Sequence, residues 1–110
     1  MMRGQEAENR AAEYLVNRGL KLVARNWRCK AGELDLICRD GNTLVFVEVR
    51  QRRSRAFGGA AASITASKRA KLWAAAQSYL QTVRPTPPCR FDAVCIDGER
   101  IDWLRDCIQG

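Results

Sequence analysis

Gly32-Glu33-Leu34-Asp35-Leu36-Ile37-Cys38 and Leu44-Val45-Phe46-Val47-Glu48-Val49-Arg50, with Asp40-Gly41-Asn42 between them, decide how this chain is read. The two apolar runs and the turn residues that join them predict one β-hairpin. Charged side chains inside strands this apolar are costly unless they bind something. A divalent metal ion beside a phosphate accounts for Asp35, Glu48 and Arg50 together.

Side chains on a strand alternate faces, so Glu33, Asp35 and Ile37 share one face and Leu34, Leu36 and Cys38 the other. On the second strand Phe46, Glu48 and Arg50 oppose Val45, Val47 and Val49. A two-residue turn at Gly41-Asn42 pairs Asp40 with Thr43, Asp35 with Glu48 and Glu33 with Arg50. A turn at Asp40-Gly41 pairs Glu33 with Glu48 and keeps all four charges on one face. Cross-strand neighbours lie about 5 Å apart, and two carboxylates there repel by roughly 3 kcal/mol at an effective dielectric near 20. Protonation, a nearby cation or a hard, oxygen-preferring ion such as Mg²⁺ relieves that repulsion. The plain alternative is a solvated face on which Arg50 salt-bridges Glu33 or Asp35.

The chain has 110 residues, 46% of them hydrophobic, enough for one globular domain that buries about two-thirds of its unfolded surface. Nineteen Lys and Arg against twelve Asp and Glu give a net charge of +7, which suits a polyanionic partner, nucleic acid first among them. There is no histidine, and the five cysteines show no CxxC spacing. A structural zinc site is therefore not expected, and Ser-His-Asp and Cys-His hydrolytic schemes are excluded. The odd cysteine count without a signal-like N-terminus predicts a reducing, cytoplasmic setting, and no apolar run approaches the ~20 residues of a membrane span.

Along the chain, helical spacing of Ala7, Ala11, Tyr14, Leu15 and Arg18 predicts a helix over 3–18, with Gly19 as its stop. A strand at 20–28 and the hairpin follow. Residues 51–63 form a basic, then Gly/Ala-rich connection that begins Gln51-Arg52-Arg53-Ser54-Arg55. A second helix over 65–83 presents Lys68, Leu72, Ala75, Ala76, Tyr79, Leu80 and Val83 on one stripe, and Arg84-Pro85-Thr86-Pro87-Pro88 ends it. A strand at 90–97 and a short closing segment at 101–108 complete the order α-β-β-β-α-β plus tail. The prediction is an α/β fold, a central mixed β-sheet flanked by helices, in a single domain spanning 1–110 with its core at 3–97.

Glu8 precedes Ala11, Ala12 and Leu15 by three, four and seven residues, so it points towards the packed side of its helix. The polar face of the hairpin is its natural partner; a pairing with Arg3 or Arg10 is the alternative. Arg52, Arg53 and Arg55, with Lys68, Arg69 and Lys71, are candidates to contact phosphates. Four to six such contacts give a salt slope of about −4 to −5 on duplex DNA. Trp27, Trp73 and Trp103 are read as core rather than as base-stacking residues, and Asp92 as the partner of Arg90, its alternative being support of the site from a neighbouring strand.

These residues resemble a known family, the small YraN-like proteins, related to Holliday-junction resolvases in the PD-(D/E)XK, or restriction-endonuclease-like, nuclease superfamily. The resemblance covers about 4–97. It is carried by Gly4-x-x-Ala7-Glu8-x-x-Ala11-x-x-Tyr14-Leu15, by Arg25-Asn26-Trp27-Arg28 and by both hairpin strands. Phe57-Gly58, Lys68 and Arg90-Phe91-Asp92-Ala93-Val94 add to it. It implies a restriction-endonuclease-like core in which Glu8, Asp35 and Glu48 hold Mg²⁺ (or Mn²⁺); Glu33 is a candidate to support them from behind, its alternative being a pairing with Arg50 alone. The implied activity is metal-dependent hydrolysis of phosphodiesters in nucleic acid, DNA first. Resolvases need two active sites, so a homodimer is implied as well. One position departs: the superfamily motif ends in E-x-K, and here its last residue is Arg50. Arginine keeps the charge and clamps a phosphoryl oxygen, but with a pKa above about 12 it cannot act as a base. Either the metal site suffices or Lys68 reaches in, or the protein is a nucleic-acid-binding or adaptor protein that does not cut.

Overall fold

The computed structural model describes residues 4–52 and 64–109, residue 52 as backbone only. The chain runs α1 (Gly4–Val16), β1 (Lys21–Cys29), β2 (Gly32–Asp40), β3 (Thr43–Arg52), α2 (Ala66–Leu80), β4 (Cys89–Asp97) and β5 (Arg100–Leu104). The expected α-β-β-β-α-β order is present, and the closing tail contributes a further strand.

The five strands form one mixed sheet in the order β1-β2-β3-β4-β5. All neighbours are antiparallel except β3 and β4. Parallel strands cannot be joined by a tight turn, and here α2 lies in the crossover. The β2–β3 turn is the two-residue one: Asp40 faces Thr43, and the register continues to Leu36 opposite Val47. Gly41 sits at φ 60°, as a turn with glycine at its first central position requires.

Each face of the sheet is covered by one helix. Towards α2, Leu34, Ile37, Leu44, Phe46, Phe91, Ala93 and Cys95 pack with Leu72, Ala75 and Ala76. Towards α1, Leu36, Cys38, Val45, Val47, Val94 and Ile96 pack with Ala7, Ala11, Ala12 and Leu15. β4 is buried without interruption from Phe91 to Ile96, as a strand covered on both faces should be.

Both helices are shorter than predicted. Gly19, at φ 101°, ends the turn after α1, and α2 starts after Thr65, whose side chain accepts from the Lys68 N–H. Residues 81–83 only fold back in turns onto Gln77, Tyr79 and Leu80. The tail closes the core: Ile108 is buried, and its carbonyl accepts from Trp73 Nε1 at 3.0 Å. Trp27 meets the edge of Tyr79 and Trp73 that of Phe91, in keeping with core roles. No helix among the described residues is long and apolar enough to cross a membrane.

Candidate functional site

The β2–β3 ladder ends at Leu36 and Val47, although β3 runs on beside β4 to Arg52. Asp35 lies where the two strands part. Its Oδ2 accepts from the Val49 N–H at 2.8 Å, so a carboxylate takes the place of a ladder carbonyl. On the other side β1 remains paired, with Arg25 opposite Leu36 and Trp27 opposite Leu34. Asn26 therefore faces Asp35 across the strands, and its backbone is left-handed at φ 52°.

This point resets the alternation of both strands. Leu34 and Ile37 pack towards α2, as do Ala24 and Trp27, each pair three residues apart where a period of two would put its members on opposite faces. The expectation that Glu33, Asp35 and Ile37 share one face with Glu48 and Arg50 is thus corrected. Leu34 takes the α2 side that Glu33 was expected to occupy, and Asp35 sits in the seam between the two layers.

From that seam Asp35 interacts in both directions. Glu8, half-buried on α1, has its carboxyl pKa raised by burial and then by the negative charges of Asp35 and Glu33. A hydrogen bond from Asn26 and the charge of Arg25 oppose the rise. Glu48, on the α2 side, is almost fully buried. Burial first, then the charge of Asp35, pushes its pKa up to about 8, against the pull of Lys68 and Arg50. Glu48 Oε2 meets Arg50 Nη1 at 3.2 Å and Lys68 Nζ at 3.7 Å, while Oε1 is buried without a hydrogen-bond partner. Two ionised carboxylates cannot hydrogen-bond each other, so Oε1 requires either a shared proton or a cation.

The three expected metal ligands are coupled as two pairs that share Asp35. Among the described residues no three carboxylate or thiol groups stand close enough together to hold a metal ion. Three like charges converging on one point repel without a cation between them. The donor set nevertheless fits one: all-oxygen, acidic, and including a buried oxygen with no partner.

Other expectations fall differently. Glu33 pairs with Arg28 Nε at 2.5 Å, and Arg50 reaches Glu48 instead, because the strands separate before Glu33 and Arg50 can meet. Lys68, placed among the phosphate contacts, lies against Glu48. The backbone of Arg52 ends β3 opposite Asp97; Arg53, Arg55 and Phe57-Gly58 lie outside the described residues. Asp92 stands apart from the site. It is fully buried and accepts from Arg90 Nε at 3.0 Å, Trp103 Nε1 at 2.9 Å and the Asp106 N–H at 2.8 Å, so the pairing with Arg90 is correct. Asn26 received no role from the sequence. Its signal was an asparagine, tolerant of positive φ, inside a strand.

A protein-family model described as "Uncharacterised protein family UPF0102" matches residues 7–96. The chain is 58% identical over 103 residues to a UPF0102 protein of Dechloromonas aromatica, covering 94% of this chain and 85% of that one. A UPF0102 protein of Janthinobacterium sp. is 51% identical over 106 residues, 96% of this chain and 86% of its own. One from Ralstonia pickettii is 54% identical over 108 residues, 94% and 86% of the two chains. The family model and these relatives span most of the chain, and the chain belongs to the uncharacterised protein family UPF0102.

Proposed function

We propose that this protein is a metal-dependent endonuclease that hydrolyses phosphodiester bonds in DNA. The observation that carries the reading is Glu48, a buried carboxylate beside Asp35 with one oxygen unpartnered and two cations on the other. Asp35 and Glu48 would hold Mg²⁺ or Mn²⁺, with Glu8 as a direct or water-bridged ligand. The metal supplies Lewis acidity and a lowered pKa for bound water. Arg50, its guanidinium partly exposed, clamps a phosphoryl oxygen and offsets charge in the transition state. Lys68 approaches the same carboxylate from α2, so its ammonium group can orient the attacking water by donating to it. Neither it nor Arg50 acts as the base, and loss of the water's proton would rest on the acidity a bound metal supplies.

The basic excess of the chain supplies the sequence-independent part of DNA affinity. Arg50 also favours a second reading, a protein that binds DNA without cutting it. Incubation with single-stranded, duplex and four-way-junction DNA in Mg²⁺ or Mn²⁺ separates the two. Cleavage by native protein that Asp35→Ala and Glu48→Ala abolish is the expected result. Salt-sensitive binding without such cleavage leaves the second reading, and no binding to any DNA at low salt refutes both.

A further inference from the structure

We infer that Asn26 is a positioning residue for the acidic centre, acting through Glu8 and Asp35 rather than on substrate; this rests on the metal-dependent reading above. Two observations converge on it. Its backbone is the one left-handed position among the described residues of β1 and β2 that is not glycine, and it lies directly across from Asp35, between the Arg25–Leu36 and Trp27–Leu34 pairs. Both strands change faces at that level. Without the change, regular alternation would hold the Asp35 side chain on one face of the sheet, able to meet only one of its two carboxylate neighbours. Left-handed backbone at a non-glycine residue is uncommon and tends to mark functional sites.

The second observation is the side chain, whose amide lies near enough to the Glu8 carboxylate to oppose the rise in its pKa. The amide holds Glu8 beside Asp35, against the mutual repulsion of two like charges, and does so without adding a charge of its own. Asn9, the next residue along α1, accepts from Arg25 Nη2, so this part of α1 is tied to β1 through a second neutral amide. Supporting partners of this kind orient metal ligands, and their loss typically weakens metal binding by about 10- to 100-fold.

The test separates backbone from side chain. Asn26→Gly keeps the left-handed backbone and removes the amide; Asn26→Ala removes the amide and strains the backbone. Mn²⁺ binding is followed by calorimetry, and melting is followed in EDTA. Asn26→Gly should melt close to native and above Asn26→Ala, yet bind Mn²⁺ about 10-fold more weakly. In a Glu8→Ala background the same Asn26→Gly change should cost little further affinity, because its effect runs through Glu8. Unchanged Mn²⁺ affinity in Asn26→Gly, or an equal loss with and without Glu8, overturns the inference while native binding leaves the parent reading standing. Native protein that binds no Mn²⁺ overturns both.

Discussion

Glu48→Gln keeps the shape of a buried side chain while removing its titration. Glu48 is 2% exposed, and burial followed by the charge of Asp35 lifts its pKa from an ordinary 4.5 to about 8. In the unfolded chain this carboxyl loses its proton near the ordinary value, whereas in the fold it keeps the proton to much higher pH. Folding stability therefore falls as pH rises through that window and is level below and above it. At about 1.36 kcal/mol per pH unit, the fall between pH 5 and pH 9 is roughly 4 kcal/mol. Typical domains have only about 5–15 kcal/mol in all. Glutamine has no proton to lose. Urea denaturation in EDTA at pH 5, 7 and 9 should show Glu48→Gln gaining on native protein by several kcal/mol across the series. Mn²⁺ added at the highest pH should restore native stability and leave the variant nearly unchanged, since a bound cation replaces the proton. Parallel pH profiles for the two proteins would refute the claim that burial and Asp35 outweigh Arg50 and Lys68 and keep Glu48 protonated.

Lys68→Ala is expected to lower metal-dependent cleavage by about 10²- to 10⁴-fold while Mn²⁺ still binds, and Lys68→Arg should not rescue it; turnover of a cleaved DNA substrate is the measurement, and native-like turnover in either variant contradicts the role. Asp92→Ala should cost about 3–5 kcal/mol in urea denaturation, because Arg90 and Trp103 lose a fully buried acceptor, and the folded fraction should retain native Mn²⁺ affinity; a loss of metal binding without a loss of stability would place Asp92 in the site after all.

The acidic hairpin was legible because it is local. Two apolar runs around Gly41-Asn42 leave few registers, and the one observed, Asp40 opposite Thr43, was among the two expected. Glu8 was legible from helical spacing, since a carboxylate three and four residues before buried alanines must face the sheet. Glu33 misled for a physical reason. Alternation assumes a regular strand, and that of β2 is reset at Asp35, where its pairing with β3 ends, so Glu33 meets Arg28, its cross-strand neighbour on β1. The closing strand β5 was also missed: five residues beside a Gly98 turn carry little periodic signal, and pairing with the edge of β4 supplies what the segment lacks.

The order of the first six elements, the two-residue turn and the two apolar hairpin strands were thus set by the sequence itself, because each depends on residues within a few positions of one another. The tertiary structure alone decided that Asp35 lies in a seam between two layers, that Asn26 faces it, and that Lys68 on a helix some twenty residues later in the chain reaches Glu48 at 3.7 Å. Those facts depend on where β2 leaves β3 and on how α2 returns across the sheet. Non-local packing sets both, and no window of the sequence contains it.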